Sequence, residues 1–299
     1  MINVYEQIDL NKRRSAIVVI LFAIFVAATI YFLGRAFGYG PSFIGIALIL
    51  SGISSFAGYW YSDKIILGIS GARQANKEED RLFRQVAENI SLGAQIPIPK
   101  LYVIEDSAPN AFATGRDINH AVVCVTTGLL DKLDRTELEG VIAHEISHIR
   151  NYDMRLMSVV AVLVGMITLL ADWLLRSSFG RRRDNEERNQ IGALFLILGI
   201  ILALLSPLIA QLIQLALSRR REFLADAGSA MITRQPSGLI SALKKIAADP
   251  EPLEAANKAT AHLYIENPFK VGQKNVGWLA NLFNTHPPVS ERIKALEGM

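Results

Sequence analysis

The segment with the clearest chemical potential is His144-Glu145-Ile146-Ser147-His148. On an α-helix, residues four positions apart lie on one face about one turn apart, so both imidazoles can reach a single metal ion. The carboxylate of Glu145 beside them can take a proton from an attacking water, which is the general-base role in metal-assisted peptide hydrolysis. The spacing therefore predicts a metallopeptidase site with Glu145 as its base.

A catalytic zinc ion usually has three protein ligands, so the two histidines require a third donor from another element. Glu222 is the best candidate, because a continuous helix through this segment places Glu222 and Asp226 on one face, one turn apart. Asp226 can then accept the second ring N–H of a zinc-bound histidine and fix its tautomer. The alternative is a juxtamembrane helix in which Glu222 belongs to a surface ion pair.

The other three histidines carry weaker signals. His286 precedes two prolines and can face the cleft, where it would donate a hydrogen bond to the developing oxyanion; the alternative is a simple turn element. His120 and His262 have no partners at ligand spacing, and we interpret both as surface or packing residues.

The elements that position these residues can be outlined from the chain. Asp134 and Glu137 form a capping-box pattern that begins the helix carrying the histidine pair. Before it, β-rich runs at residues 101–104, 111–114 and 121–126 predict a small antiparallel sheet. Helical spacing of apolar residues also predicts one helix over residues 80–92 and a short C-terminal helix over residues 289–296.

Two uncharged runs near the N-terminus predict a transmembrane hairpin over residues 15–62, preceded by a short N-terminal segment, residues 1–14. The first run, residues 15–33, has 19 residues, which is enough to cross a hydrocarbon core, and a second run follows a Gly- and Pro-containing turn. A cleaved signal peptide is the alternative for the first run. Arg13 and Arg14 before the hairpin place residues 1–14, and the chain after the hairpin, in the cytoplasm.

A second membrane pair is expected at residues 157–217. Residues 191–217 are uncharged and long enough to span, whereas the run over residues 157–170 is short enough for a core or re-entrant helix. The metal ligands flank this pair and must meet at one ion, so the Arg-rich loop lies outside the cell if both helices span. The charge of that loop favours the cytoplasm, and partial entry into the membrane is the alternative.

Composition excludes several classes of protein. The chain of 299 residues is 51% hydrophobic and 20% charged, with a mean hydropathy of +0.28, unlike an ordinary soluble or disordered protein. The net charge of +3 is too small to indicate a nucleic-acid partner. A single cysteine, Cys124, excludes a zinc site built from cysteines, so a metal must be held by histidine and carboxylate.

With these motifs in order along nearly the whole chain, the sequence resembles the HtpX group of membrane-bound zinc endopeptidases, relatives of the CaaX prenyl-protein proteases. The resemblance is carried by the hairpin and by residues 110–115, 126–130, 144–153, 219–226, 285–288 and 291–292. It implies zinc ligands at His144, His148 and Glu222, the catalytic base at Glu145, and a supporting carboxylate at Asp226.

The resemblance also implies how substrate binds and where the site lies. The segment that looks like the family's edge strand beside the zinc helix, where an extended peptide can add by main-chain hydrogen bonds, comprises Asn110, Ala111, Phe112, Ala113 and Thr114. A plain hairpin strand is the alternative. The implied active site is cytoplasmic, at the bacterial plasma (inner) membrane, and the implied role is degradation of misfolded membrane proteins under stress.

We therefore predict a mainly α integral membrane protein with a cytoplasmic zincin-like α+β metalloprotease domain in two parts, residues 63–156 and 218–299, and one Zn²⁺ ion per chain. The expected partners are unfolded membrane polypeptides and the lipid bilayer. Two alternatives remain open: a CaaX-type processing protease, and a membrane scaffold that keeps a zinc site without catalysis. A transporter has little support, because the first two apolar runs contain no ionisable residue.

Overall fold

The computed structural model describes residues 4–36, 43–162, 219–255, 260, 263–266 and 287–299. Its elements, in chain order, are α1 (Val4–Ala36), α2 (Phe43–Trp60), α3 (Ser62–Ile69), β1 (Arg73–Gln74), α4 (Arg81–Ala94), β2 (Lys100–Ile104), β3 (Ala111–Gly115), β4 (Ala121–Thr126), α5 (Thr127–Lys132), α6 (Arg135–Arg150), α7 (Arg219–Thr233), α8 (Pro236–Ala248) and α9 (Val289–Glu297). A further helical stretch covers residues 153–162. Most of the second predicted membrane pair, the Arg-rich loop, His262 and His286 lie outside the described residues.

Both N-terminal apolar runs fold as helices. Helix α1 includes residues 15–33 and begins well before them, at Val4, while α2 contains most of the second run. The two helices contact each other, and the hydroxyl of Ser51 donates a hydrogen bond to the carbonyl of Ala23. Within the described residues, no helix is both long enough and apolar enough to cross a membrane.

The sheet corrects one expectation. The three predicted strands are present, but the four-stranded sheet has the order β1-β2-β4-β3 and is mixed, not antiparallel. Strands β3 and β4 pair antiparallel, whereas β2 and β4 pair parallel, with Tyr102 opposite Cys124. The short strand β1 was not predicted; it pairs antiparallel with β2.

The physical reason for the mixed sheet is the path of residues 105–110. This connection crosses the end of β4, so β3 lies on the far side of β4 instead of beside β2. Thr126 at the end of β4 holds the crossing in place: its hydroxyl donates to the carbonyl of Ala108 at 2.7 Å and accepts from the N–H of Asn110 at 2.9 Å. Alternation of apolar residues identifies strands but not their order, so the sequence pattern could not show this crossing.

Each face of the sheet packs against a separate hydrophobic cluster. Phe112, Val122 and Cys124 point to a cluster shared with α1, α3 and residues 156–162. Ala113, Val123 and Val125 point to the other cluster, which contains the apolar side of α4, α6 and α8. Both faces of β3 and β4 are therefore buried, and α6 is fixed against the sheet by its apolar residues.

Helix α6 begins as predicted and packs closely against two other helices. Asp134 caps it, and its side chain and that of Glu137 form both hydrogen bonds of the capping box. A Cβ atom at Gly140 would lie 2.6 Å from the backbone nitrogen of Leu239, so glycine allows α8 to approach. The hydroxyl of Ser229 on α7 donates to the carbonyl of Gly140 at 2.7 Å. These contacts bring α7 alongside α6.

Candidate metal centre

The two histidine side chains of α6 both direct their Nε2 atoms toward one position. The Nε2 atoms of His144 and His148 lie 3.2 Å apart, and the two rings are nearly perpendicular. Both side chains are buried, with exposed fractions of 1% and 4%. The spacing of four residues thus produces the shared face that the sequence predicted.

Helix α7 brings Glu222 to the same point. Its Oε2 atom lies 3.7 Å from Nε2 of His144, and its Oε1 atom lies 3.5 Å from Nε2 of His148. Ligand atoms of these three residues all lie within 4.8 Å of one another. Glu222 follows His148 by 74 positions in the chain. The close packing of α6 and α7 nevertheless places the side chains of both histidines and of Glu222 together.

These distances fit a tetrahedral metal ion. Bonds of about 2.0–2.2 Å to imidazole nitrogen and carboxylate oxygen separate the ligand atoms of a tetrahedral ion by roughly 3.3–3.5 Å. The separations of 3.2, 3.5 and 3.7 Å are close to this range. Two imidazoles and one carboxylate leave a fourth position, as in catalytic sites and unlike closed structural sites.

The charges around this point also suit a divalent cation. Among the described residues, four buried carboxylates lie around this point: Glu145, Asp153, Glu222 and Asp226. Two buried guanidinium groups lie beside them in the described part of the chain, those of Arg221 and Arg292. With both histidines neutral, these six groups leave two negative charges, and a buried charge is stable only when it is paired or coordinates a metal. A single divalent ion balances these described charges.

The other ring nitrogen of each histidine has its own carboxylate partner. Nδ1 of His144 lies 2.9 Å from Oδ1 of Asp226, and Nδ1 of His148 lies 3.2 Å from Oδ2 of Asp153. A carboxylate on Nδ1 favours the tautomer whose Nε2 lone pair is directed at a metal. Asp226 was predicted in this role, whereas Asp153 was not.

Arg292 of helix α9 completes the support of Asp226. Its Nε and Nη2 atoms donate to the two carboxylate oxygens of Asp226 at 2.9 and 2.7 Å, and Nη1 lies 3.8 Å from Oε2 of Glu222. The guanidinium charge holds the pKa of Asp226 below its usual value, although burial of the side chain acts in the opposite direction. Asp226 is therefore a carboxylate at neutral pH.

Most of the chain matches a known peptidase family. Residues 74–299, three quarters of the chain, match the family described as peptidase family M48. The chain belongs to peptidase family M48. Curated relatives extend the similarity to the full length: the protease HtpX homolog of Dictyoglomus thermophilum is 47% identical over 99% of this chain and 94% of its own. That of Thermoanaerobacter pseudethanolicus is 45% identical over 99% and 97%.

One solved structure aligns with most of this chain. The crystal structure of S. mikatae Ste24p aligns with a TM-score of 0.49 and 18% sequence identity, over 98% of this chain and 67% of that chain.

The two histidines of this M48 site have different proton affinities when no metal is bound. Burial lowers the pKa of His144 to about 4, against the opposing hydrogen bond to Asp226. Burial also disfavours the charged form of His148, but its hydrogen bond to Asp153 and the charge of Glu222 outweigh this effect and raise its pKa to about 9. A metal ion must therefore displace a proton from His148 when it binds.

Among the described strands, β3 lies at an edge of the sheet, and it packs against α6. Its odd-numbered residues direct their backbone groups away from β4. The carbonyl of Ala111 accepts from the N–H of Ile265 at 2.9 Å, and the N–H of Gly115 donates to the hydroxyl of Ser158 at 3.1 Å. Ala113, between them, has its N–H and C=O on the same outward side.

Four residues at the site were not assigned a role from the sequence: Asp153, Arg221, Arg292 and Asn11, whose side chain donates a hydrogen bond to Asp153. Asp153 and Arg292 lie in segments that carried the family resemblance, which is the signal that could have identified them. Asn11 lies in α1 and had no such signal. His120, in contrast, is where a surface residue was expected: its ring is exposed and binds the neighbouring Asp117.

Proposed function

We propose that this M48 peptidase is a membrane-bound, zinc-dependent endopeptidase that hydrolyses unfolded or misfolded membrane proteins at the cytoplasmic face of the bacterial plasma membrane. The observation that carries the proposal is the convergence of His144, His148 and Glu222 beside the buried carboxylate of Glu145. Quality control of membrane proteins under stress is the physiological role that the resemblance to the HtpX group implies, and we propose it for this chain.

Zinc is the proposed ion because of the donor set. Two imidazoles and one carboxylate suit zinc, whereas calcium and magnesium prefer oxygen ligands alone. When bound, zinc supplies Lewis acidity that polarises the scissile carbonyl and lowers the pKa of water. His144, His148 and Glu222 hold the ion, while Asp226 and Asp153 keep the two imidazoles oriented.

Glu145 is the proposed general base. It follows His144 on α6, is 2% exposed, and is close enough to His148 for its charge to favour the protonated imidazole. It takes a proton from the attacking water and delivers that proton to the leaving amine. This role also argues against a scaffold without catalysis, because a site that only held zinc would have no chemical need for a carboxylate that is not a ligand.

Substrate is proposed to bind along the segment from Asn110 to Thr114. The support is that β3 is the outermost of the described strands and that the backbone groups of Ala113 point away from β4. An extended peptide would pair with Ala113 by main-chain hydrogen bonds and lie beside the zinc helix. His286, which precedes the described residues of α9, is proposed to donate a hydrogen bond to the oxyanion.

Membrane attachment is proposed through α1 and α2. The sequence of each helix contains an uncharged apolar run, and each exposes large apolar side chains that water would solvate poorly. The following side chains of the two helices are more than half exposed: Ile17, Ile20, Leu21, Ile24, Leu48, Ile49, Ile53 and Phe56. A bilayer would cover this surface, with Arg13 and Arg14 at its cytoplasmic boundary.

Metal analysis of the full chain in detergent tests the site. After metal removal and dialysis against zinc, the wild type should hold one zinc ion per chain. Glu145→Gln should also hold one ion, because Glu145 is not a ligand, whereas Glu222→Ala should bind zinc at least tenfold more weakly. Zinc bound equally well by Glu222→Ala would exclude Glu222 as the third ligand.

A further inference from the structure

The N-terminal turns of α1 reach the support of the metal site through Asn11. The side chain of Asn11 is buried, with an exposed fraction of 1%. Its Nδ2 atom donates two hydrogen bonds, one to Oδ1 of Asp153 at 2.7 Å and one to the carbonyl of Asn151 at 3.1 Å. These contacts join residues about 140 positions apart in the chain, and they bring the proposed membrane anchor into contact with the end of α6.

Asp153 divides its two carboxylate oxygens between the anchor and the metal site. Oδ1 receives the hydrogen bond from Asn11, and Oδ2 lies 3.2 Å from Nδ1 of His148. Nη1 of Arg221, the residue before Glu222, lies 3.7 Å from Oδ1 of Asp153 and 3.4 Å from Oδ1 of Asn11. Asn11 therefore contacts both segments that supply the metal ligands.

The next residue of α1 contacts the same turn. Nζ of Lys12 lies 4.6 Å from the ring centroid of Tyr152. Tyr152 has a φ of 58°, a left-handed backbone conformation that residues other than glycine seldom adopt without support from their surroundings. Asn11 and Lys12 together pack on residues 151–153, which form the turn that presents Asp153 to His148.

We propose that Asn11 is a positioning residue of the metal site, which acts on His148 through Asp153 and makes tight metal binding depend on the docking of α1. The inference rests on the proposed metal site. Without the Asn11 amide, Asp153 loses its shortest hydrogen bond, and Nδ1 of His148 loses a fixed acceptor. A chain whose α1 is not docked against residues 151–153 would hold zinc weakly, so the proteolytic centre would be complete only when the anchor is in place.

Metal affinity of the full chain in detergent is the readout, because it does not depend on substrate. Chelator competition with Zn²⁺ and with Co²⁺ would be compared for the wild type, Asn11→Ala and a matched control, Asn119→Ala, whose side chain is exposed. Asn11→Ala should weaken both metals by about tenfold, the lower end of the range for removal of groups that orient ligands. Asn119→Ala should leave the affinity within twofold of the wild type.

A double-mutant cycle separates positioning from general stability. Asp153→Asn alone should weaken zinc by about 10- to 100-fold. If Asn11 acts through Asp153, adding Asn11→Ala to Asp153→Asn should change the affinity by less than about twofold. Additive losses in the cycle would overturn the proposal, since they would mean that Asn11 affects the site by another route.

Folding of the variants is monitored by thermal unfolding of the metal-free protein. If Asn11→Ala does not fold, Asn11→Ser, which retains a smaller donor, replaces it in the same cycle. Failure of both variants to fold would assign Asn11 to stability alone and overturn the inference, as would an unchanged affinity in Asn11→Ala. A wild type that binds neither metal would instead refute the proposed metal site itself.

Discussion

At the scale of residues, the candidate metal site contains pairs: each of its two histidines has a carboxylate partner at Nδ1. The sequence predicted His144, His148, Glu222 and Asp226, because all four occupy helix faces on which a spacing of four residues is visible. It did not predict the partner of His148, Asp153, because that residue follows a turn whose direction depends on Tyr152 and on contacts with α1. Spacing shows which residues share a face, whereas contacts between distant segments arise from the fold.

Among the residues that are not proposed metal ligands, Arg292 is the one whose substitution should disturb the site most. Arg292→Met leaves the buried carboxylate of Asp226 without its two guanidinium hydrogen bonds. Loss of one partner from a buried ion pair costs about 3–5 kcal/mol, so thermal unfolding of the metal-free protein should occur at a clearly lower temperature. Lys294→Met, an exposed position on the same helix, is the control. Equal unfolding temperatures for the two variants would contradict this role.

At the scale of elements, α6 is the centre of the structure, since the sheet, α4, α7 and α8 all pack against it. Its beginning could be predicted from Asp134 and Glu137, and the strands from their β-rich composition. The order of the strands could not be predicted, because it depends on hydrogen bonds between Thr126 and the crossing segment. The close packing of α7 and α8 against α6 depends on small residues, and the residues that these small residues contact are distant in sequence.

Close packing at Gly140 predicts a strong effect of one methyl group. In Gly140→Ala, the new Cβ would lie 2.6 Å from the backbone nitrogen of Leu239, and backbone cannot move aside as a flexible side chain can. Overpacking of this kind costs about 1–3 kcal/mol. The matched control is Gly68→Ala, a helical glycine whose Cβ would have no neighbour within 4 Å among the described residues. Thermal unfolding should show destabilisation in Gly140→Ala alone.

The N-terminus of α6 predicts a dependence of stability on pH. Burial disfavours the charge of Glu137, but hydrogen bonds from Lys245 and Ser241 outweigh it and lower the pKa of Glu137. Because its pKa is lowered, the ionised Glu137 stabilises the fold at pH values above its ordinary pKa of 4.5. This contribution is lost as the pH falls through the lower pKa of Glu137 in the folded state.

Glu137→Gln removes that contribution and tests its sign. The unfolding temperature of the variant should be below that of the wild type at about pH 7, and the difference should shrink as pH falls to about 3.5. Glu139→Gln, on the same helix, is the control. A constant difference between wild type and Glu137→Gln across this range would show that the loss is one of packing and not of charge.

At the scale of the whole molecule, the chain combines a predicted anchor of two helices with a peptidase domain in which His144 and His148 of α6 and Glu222 of α7 meet at a candidate metal site. Helix α1 belongs to both, because its apolar residues are exposed while Asn11 lies beneath the metal site. The proposed ligands His144 and His148 precede residues 163–218 in the chain, and the proposed ligand Glu222 follows them. All three lie together in the structure, so both ends of this segment must be on the same side of the membrane. If the two apolar runs in that segment cross the membrane, the loop between them must be outside.

A reporter fused after Gly180 tests this topology. If residues 157–217 span the membrane twice, as one of the two sequence-based interpretations holds, a reporter that works only outside the cytoplasm should be active in this fusion, because both ends of the segment lie at the candidate metal site. A fusion after residue 299 should give the cytoplasmic signal as a control. A cytoplasmic reporter at Gly180 would contradict four spans and favour helices that enter the membrane and return.

The most direct test of the central claim is proteolysis by the full chain, purified in detergent with a chelator and then restored with zinc. The wild type and Glu145→Gln would be compared for cleavage of an unfolded protein and of the chain itself, with zinc content measured in both. We predict cleavage by the wild type and a rate at least about 100-fold lower for Glu145→Gln at equal zinc content. Cleavage at the same rate by both would contradict Glu145 as the base, and no cleavage by zinc-loaded wild type would contradict the endopeptidase itself.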